Sequence, residues 1–358
     1  MRPPHLIAAL ALPAVLPFFS PPAFSLDRPG GTLPVLQDTV SPAPASAGRQ
    51  FVYKGNPLVR HIYTADPAAR VFGGRLYVYT SHDNETADYF DMTDWHVFST
   101  DDMANWTDHG AFFGLKDIPW AESMAWAPDC VERGGKYYFY YPVERKKIGV
   151  AVSDSPVSGF IDKGGPLIDN TGNEELAGPE PIDPAVIVEK GRAYMFFGCR
   201  QLRMARLADN MTELAGQIQK PVIRGIENDK SGSGGYYGEG PFIFKRGGKF
   251  YLMYSNGWGD HCTQVYATSD SPEGPFDFAG PVMEPAGATT SHGSVVEFKG
   301  GWYIFYHTRD LSGKNHRRSV CFDALKFDEN GRIIPVRATR GAPQAAGQAA
   351  PRPGIQAD

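Results

Sequence analysis

The sequence has little of three features that would identify its class at once: paired cysteines, an excess of charge of one sign, and long apolar runs. Its four cysteines lie far apart without metal-ligand spacing, which argues against a zinc site and favours buried free thiols over disulfides. Lys and Arg number 35 and Asp and Glu number 40, so the formal net charge is only -5. Because there is no basic field, we expect no nucleic-acid partner.

The longest apolar stretch, LIAALALPAVLPFF, stands at the amino terminus behind Arg2 and His5. Two prolines interrupt it, and it is too short for a comfortable membrane span of about 20 residues. A small-x-small site over residues 23–25 follows it. We therefore predict a signal peptide over residues 1–25 and an exported protein, periplasmic or secreted, without membrane association after cleavage. An uncleaved anchor is the alternative.

Segments rich in Pro, Ser and Ala lie at both ends of the remaining chain. They predict a flexible linker over residues 26–50 and a disordered tail over residues 338–358. The 42% hydrophobic content is ample for a buried core between them. We place a single folded domain there, over residues 51–337.

The sequence is rich in residues that make turns and strands, with 40 Gly, 30 Pro and 13% aromatics. A glycine-led motif, as in GGRLYVYTSHD and GGKFYLMYSNG, occurs five times. Its marker glycines are Gly74, Gly135, Gly191, Gly248 and Gly301, at intervals of 61, 56, 57 and 53 residues. Each marker predicts a hairpin turn, where glycine accepts a positive φ at no steric cost, followed by an alternating strand.

A second hairpin recurs in the repeat: a strand ending in Ser-Asp or Ala-Asp, a tight turn, and a short strand closing on Gly, as in IGVAVSDSPVSGFIDKG. Two hairpins in roughly 55 residues is the size of one propeller blade. The sequence therefore predicts an all-β fold, a five-bladed β-propeller with four antiparallel strands per blade. A β-sandwich or β-helix would not need this two-hairpin period.

An ionisable residue precedes each marker glycine by six to nine positions: Asp66, Asp129, Asp183, Glu239 and His292. In a propeller the first strand of each blade lines the central channel, so these residues should converge on the axis. An Asp-Pro or Glu-Gly-Pro sequence can be simple turn chemistry. A cluster of like charges in a narrow channel is costly, however, and is usually kept for function. Three carboxylates around one pocket suit glycoside hydrolysis, which needs a neutral acid and an ionised base.

The motifs ADP, WAPD, IDPAV and YYGEGPFI, in this order on a five-fold repeat, resemble glycoside hydrolase family 43 over about residues 52–335. The resemblance implies a five-bladed propeller and an inverting enzyme that acts on pentosides and related furanosides. It also implies that Asp66 is the general base, Glu239 the general acid, and Asp183 the carboxylate that orients the acid and raises its pKa.

Further site residues rest on weaker arguments. His292 matches a family histidine near a hydrated calcium ion on the axis, so a structural Ca²⁺ is expected there; the chemistry itself needs no cofactor. A hydrogen-bonded structural histidine is the alternative. Arg309 resembles a family arginine that reaches the sugar pocket, although it could be a solvated strand end.

Trp126 could stack on a sugar ring, and Trp258 could do the same or belong to the core between blades. We also expect Asp129 and His82 to contact substrate, with His82 and Asp83 at the rim of the pocket. The acidic stretch FDMTDW lacks the Glu and Gly of a calcium loop and is interpreted as a connection. Arg317-Arg318 is interpreted as a solvated turn.

We predict a monomer that releases a pentose, arabinofuranose or xylose, from oligosaccharides or polysaccharides of hemicellulose. One alternative is a carbohydrate-binding propeller without activity, because a fold alone does not define a function. Another is a hydrolase of β-galactofuranosides or fructans; in the fructan families the first-blade Asp is a nucleophile. Since none of the three carboxylates is substituted, we prefer the enzyme.

Overall fold

A computed structural model describes residues 48–172, 174–226 and 236–340 of the chain. The predicted signal peptide lies outside these residues, as do most of the predicted linker and most of the predicted tail. The described strands form five sheets, in which all strand pairings are antiparallel except the one between Ile223–Arg224 and Phe276–Pro281. Among the described residues, no helix has the length and apolar character needed to cross a membrane.

The first two blades are five-stranded sheets. Blade 1 consists of β1 Arg49–Val52, β2 Thr64–Phe72, β3 Arg75–His82, β4 Asp94–Thr100 and β5 Asn105–Gly114. Blade 2 consists of β6 Asp129–Arg133, β7 Lys136–Val143, β8 Lys147–Ser153, β9 Ile161–Asp162 and β10 Ile168–Asp169. A 3₁₀ turn, Leu115–Asp117, connects the two blades.

The other three blades have three, five and four strands. Blade 3 consists of β11 Ala185–Glu189, β12 Arg192–Phe197 and β13 Arg203–Leu207, preceded by the short helix α1 Glu174–Ala177. Blade 4 consists of β14 Ile223–Arg224, β15 Glu239–Arg246, β16 Lys249–Ser255, β17 Gln264–Ser269 and β18 Phe276–Pro281. Blade 5 consists of β19 Ser294–Phe298, β20 Gly301–Thr308, β21 Ser319–Phe327 and β22 Ile333–Ile334.

The inner strands β2, β6, β11, β15 and β19 contact one another in a closed ring. Five hydrophobic clusters pack between neighbouring blades, including blade 5 against blade 1. The core is therefore divided among the blade interfaces. The segment before β2 closes the ring, because the Asn56 side chain exchanges two hydrogen bonds with the backbone of Phe322 in blade 5.

The five-bladed propeller is confirmed, with differences in detail. The number of strands per blade varies from three to five, and in blade 3 the isolated bridges Met204–Gln219 and Leu207–Leu214 stand in place of an outer strand. The linker was predicted too long, since β1 already pairs with β5 from Arg49. The tail was also predicted to start too early, because Thr339 bonds the Asp323 carboxylate. All four cysteines are buried and free, as expected.

The predicted hairpin turns lie between the first two strands of each blade, and both turn residues have positive φ. In the fifth blade these residues are Lys299 and Gly300, so Gly300, not Gly301, is equivalent to the other four markers. Positive φ at both positions defines the twisted hairpin turn for which glycine is preferred. With this correction, His292 precedes its marker by eight residues, the same offset as Asp66 and Asp183.

Candidate active site

A cavity of about 250 Å³ lies where the chain enters the inner strands. Four of the five ionisable residues predicted to meet on the axis line it: Asp66, Asp183, Glu239 and His292. The hairpin register explains this convergence. In each blade the fifth residue after the turn glycine pairs with a residue of the inner strand. The residue two positions before this inner-strand partner therefore has the same place in all five blades. These positions are occupied by Asp66, Ala127, Asp183, Gly240 and His292.

The backbone at three of these positions explains the prolines in the motifs. Asp66, Asp183 and Gly240 have φ of 53°, 58° and 61°, and each precedes a proline. In β2 and β15 the pairing register shifts at this point, so the strand bulges. A bulge re-aims side chains, and a proline there sacrifices no ladder hydrogen bond. The Asp-Pro sequence therefore turns a carboxylate out of the sheet and into the cavity.

Asp66 is held as an anion. Arg318 Nη1 donates to Asp66 Oδ1 at 2.8 Å, and the Ser81 hydroxyl donates to Oδ2 at 2.6 Å. His307 Nδ1 lies 3.4 Å from Oδ1. Burial acts to raise the pKa of Asp66, but the charge of Arg318, followed by the two nearby histidines and Ser81, lowers that pKa to about 2. The carboxylate is therefore ionised at neutral pH and can accept a proton.

Glu239 and Asp183 form a pair of buried carboxyls that, unlike Asp66, tend to keep a proton. Burial raises the pKa of Glu239 to about 7. A hydrogen bond from Trp258 opposes this rise, and the charge of Asp66 reinforces it. Burial and then the charge of Glu239 raise the pKa of Asp183. The Gly240 N–H donates to Asp183 Oδ2 at 2.9 Å, which favours the anion on Asp183. Such a pair titrates as a unit, and it retains a proton close to neutral pH.

Sequence reasoning missed the residue that organises Asp66. Arg318 was interpreted as part of a solvated turn, but it is 3% exposed and forms ion pairs with both Asp66 and Asp83. Asp83 was expected at the rim and is instead buried behind Arg318, whose Nε lies 3.0 Å from its Oδ2. No sequence signal marked it, because its place just before β21, across the hairpin from Arg309, follows from the strand pairing.

Three expected substrate contacts are corrected by the structure. Arg309 is not among the described residues that line the cavity; it bonds Asn315 and Asp260, while Arg318 occupies the cavity wall. His82 lies outside the lining too, and its Nδ1 is 2.8 Å from Asp94 Oδ1. His82 ends β3, and Arg309 follows the last residue of β20.

Asp129 is the third corrected residue. It stands two residues deeper along its strand than the position equivalent to Asp66, which Ala127 occupies. Its carboxylate is 1% exposed and accepts two hydrogen bonds from the Arg70 guanidinium, at 2.8 and 2.5 Å. In the sequence, Asp129 stands six residues before its marker glycine, whereas Asp66 stands eight residues before its own. These offsets already indicated that the two residues are not equivalent.

Aromatic and charged residues form the rest of the wall. Trp126 lines the cavity, as expected for a stacking surface, and Trp258 does so with 42% of its surface exposed. The guanidinium of Arg145 lies 5.8 Å from the Trp126 ring and donates to Glu180 at 2.6 Å. Neither Arg145 nor Glu180 was found from the sequence. Indole faces beside charged hydrogen-bonding groups suit the two kinds of surface of a sugar ring.

The side chains around His292 differ from the ligand set that the expected calcium ion requires. Ca²⁺ takes about six to eight oxygen ligands. Within the described part of the chain, no group of three His, Cys, Asp or Glu ligands includes His292, and Asp183 Oδ2 lies 3.8 Å from its Nδ1. Burial lowers the pKa of His292, so the ring is neutral. These side chains do not make a calcium cage, and no chemical step is assigned to such an ion.

Comparison with known proteins agrees with this geometry. The family model described as glycosyl hydrolases family 43 matches residues 54–333. A xylosidase/arabinosidase 43A of Humicola insolens is 37% identical over 331 residues, covering 78% of this chain and 98% of the relative. A xylosidase/arabinosidase of Bacteroides ovatus is 36% identical over 324 residues, covering 78% and 96%.

A solved structure extends the likeness to three dimensions. It is a β-xylosidase/α-arabinofuranosidase of this family from a compost microbial metagenome, in complex with xylotriose and in a calcium-free form. It superposes with a TM-score of 0.70 at 35% identity, covering 81% of this chain and 99% of the other. From its propeller, its carboxyl-lined cavity and these matches, the chain is a glycoside hydrolase of family 43.

Proposed function

We propose that this protein is an inverting glycosidase that releases a terminal pentose, xylose or arabinofuranose, from hemicellulose-derived oligosaccharides. Asp66 is the general base, Glu239 the general acid, and Asp183 the positioning residue for that acid. One observation carries the proposal: one cavity contains a carboxylate held ionised by Arg318 and a carboxyl whose pKa of about 7 leaves it protonated.

The reaction follows from these two protonation states. Water attacks the anomeric carbon from the face beside Asp66, which accepts the proton that the water loses. The bond from the anomeric carbon to the leaving oxygen breaks on the opposite face, and Glu239 donates its proton to that oxygen. An inverting enzyme needs its two carboxyls far enough apart to admit this water. Asp183 and Glu239 are both buried, and a charge on one of these carboxyls disfavours ionisation of the other.

The choice of a pentose rests on the relatives and on size. The two curated relatives are described as xylosidase/arabinosidases, and the solved neighbour holds xylotriose. The cavity, about 250 Å³, is smaller than the ~300–1,000 Å³ of pockets for drug-sized ligands. A single sugar ring fits such a volume better than a long chain does, which favours release of terminal residues.

We further propose that the enzyme works outside the cytoplasm as a monomer. The amino-terminal segment supports export, and the four buried, unpaired cysteines are compatible with an oxidising compartment. Amino-terminal sequencing of the secreted or periplasmic protein from a cell expressing the whole chain tests this proposal. A mature chain that starts near Leu26 supports it, and an intact chain in the cytoplasm contradicts it.

The mechanism is tested by following the first product. Nitrophenyl β-D-xyloside and α-L-arabinofuranoside are supplied with xylan and arabinan oligosaccharides, and β-D-galactofuranoside serves as a comparison. Proton NMR during early turnover should show the anomer opposite to that of the substrate. Retention of configuration, or a covalent glycosyl adduct on Asp66, would replace the proposed mechanism with a nucleophilic one. Faster turnover of the galactofuranoside would overturn the pentose assignment.

A further inference from the structure

A second cluster of ionisable side chains lies on blade 1, outside the lining of the cavity. His82 ends β3, and Asp94 and His96 lie two residues apart on the neighbouring strand β4. Residues i and i+2 of a strand face the same side, and Thr80 pairs with His96 across the two strands, so His82 stands opposite Asp94. The sheet itself therefore brings these three side chains together on one face.

Their ligand atoms are at distances that suit one ion. Asp94 Oδ1 is 2.8 Å from His82 Nδ1 and 3.5 Å from His96 Nε2. One ligand atom from each residue can be chosen so that all three lie within 4.8 Å of one another. Zn–N and Zn–O bonds of about 2.0–2.1 Å in a tetrahedron place ligand atoms about 3.3 Å apart. The observed distances lie on either side of this value.

The surroundings of His96 give a second, independent indication. His96 is 9% exposed, and its Nδ1 is a buried nitrogen without a hydrogen-bond partner. That nitrogen faces Asp108 Oδ1 at 3.7 Å, while Asp108 Oδ2 is 2.7 Å from His61 Nε2. Histidines that bind metals usually turn their other ring nitrogen toward a carboxylate, which fixes the tautomer that leaves the ligand nitrogen free. His96 has this arrangement: one nitrogen faces Asp94 and the other faces Asp108.

We propose that His82, Asp94 and His96 form a binding site for a divalent first-row transition-metal ion of the zinc type. Two imidazole nitrogens among three ligands suit such ions better than they suit Ca²⁺, which takes oxygen ligands. The side chains of His82 and Asp94 are 24% and 25% exposed, so an ion can enter, and water completes the coordination. The cysteine spacing argued against a zinc site, but it concerns cysteine ligands, and this cluster has none.

The position of the cluster suggests what the ion does. His82 lies between Ser81, which donates to Asp66, and Asp83, which bonds Arg318. An ion that joins His82 to β4 fixes the end of β3 and so stabilises the strand that holds the neighbours of Asp66. The site is therefore structural, and its existence does not depend on the proposed substrate or stereochemistry.

The test is zinc binding by the purified, chelator-treated protein. Calorimetric titration with Zn²⁺ should show one ion per chain, and bound zinc should raise the unfolding temperature. His96→Gln and Asp94→Asn should each weaken binding by about tenfold or more. The matched control is His109→Gln, because His109 is a histidine of the same blade that contacts Ser99 and not the cluster. Its affinity for zinc should equal that of the unchanged protein.

Other outcomes overturn the proposal. It fails if no zinc binds, or if His292→Gln abolishes binding while His96→Gln does not, since the ion would then lie on the axis. Circular dichroism establishes that each variant is folded; if His96→Gln is not, Asp94→Asn decides. Co²⁺ provides a spectroscopic check, because its visible bands should change with Asp94→Asn and remain with His109→Gln. Unchanged bands in Asp94→Asn would also contradict the site.

Discussion

Two buried arginine–carboxylate pairs join neighbouring blades, and they differ in what their carboxylates can reach. Arg318 of blade 5 binds Asp66 of blade 1, and Arg70 of blade 1 binds Asp129 of blade 2. Asp66 lines the cavity, whereas Asp129 lies two residues deeper along its strand. The first pair is therefore within reach of substrate, and the second pair serves only to hold blades together.

The remaining hydrogen bonds of the two carboxylates follow this difference. Besides Arg70, Asp129 accepts from the backbone N–H groups of Val186, at 2.7 Å, and Cys130, at 2.8 Å. It thereby links three blades. Asp66 accepts instead from the side chain of Ser81 on the next strand of its own blade. An identical pair of residue types is structural in one place and suited to catalysis in the other, and access to the cavity decides which.

The largest expected effect is that of Asp66→Asn on activity. Without its base the attacking water is not activated, whatever the leaving group, so kcat/KM should fall by about two to four orders of magnitude. The loss should be the same for a xylo-oligosaccharide and for a dinitrophenyl glycoside, measured under identical conditions. Recovery of activity on the dinitrophenyl substrate would show that Asp66 acts on the leaving group. Asp66 would then not be the base, and the contrast with Asp129 would need another explanation.

Glu239→Gln should be as damaging on natural glycosides but not on activated ones. Its proton serves only the leaving oxygen, and a dinitrophenolate leaves without protonation. We expect a loss of about two to four orders of magnitude on the oligosaccharide and a small loss on the dinitrophenyl glycoside. Steady-state rates on both substrates measure this ratio. Equal losses on the two substrates would remove Glu239 from the role of acid.

Arg70→Met should break the deep pair and leave the chemistry intact. It leaves Asp129 buried without its partner, which should lower the free energy of unfolding by about 3–5 kcal/mol. Denaturant unfolding measures the loss, and kcat/KM per folded molecule should stay near that of the unchanged enzyme. Adding Asp129→Asn should restore part of the stability. A variant that is stable but inactive would mean that the deep pair also takes part in catalysis.

The smallest expected effect is a shift in the pH profile. Activity needs Asp66 ionised, which holds above a pKa of about 2, and Glu239 protonated, which holds below a pKa of about 7. Activity of the unchanged enzyme should therefore fall as pH rises through about 7. Asp183→Asn removes the carboxyl that shares a proton with Glu239 and repels its ionised form, so Glu239 ionises more easily and the alkaline limb should move to lower pH.

The matched comparison for this shift is Arg70→Met, which alters the deep pair. Its profile of kcat/KM against pH should keep the alkaline limb of the unchanged enzyme, because Arg70 does not contact Glu239 or Asp183. An alkaline limb that moves in Arg70→Met, or that stays in place in Asp183→Asn, would contradict the distinction between the residues that line the cavity and the deep Arg70–Asp129 pair.

The sequence determined the fold through local rules that repeat. Turn glycines at positive φ, strand alternation and the even spacing of Gly74, Gly135, Gly191 and Gly248 are properties of neighbouring residues, so they can be read without the tertiary structure. The fifth marker was placed one residue late because Gly300 and Gly301 are adjacent and only the pairing register separates them. Asp66 and Asp183 were found for the same reason, since each stands eight residues before its turn glycine, and Glu239 stands only one residue before the equivalent position.

Contacts between blades could not be determined in this way. Arg318 is about 250 residues from Asp66 along the chain, and nothing local distinguishes it from Arg309 or Arg317. Asp129 has the same residue type as Asp66, and only closure of the ring placed Arg70 beside it. Ion pairs of this kind form between strands brought together by packing, so the tertiary structure decided which carboxylate faces the cavity and which is buried.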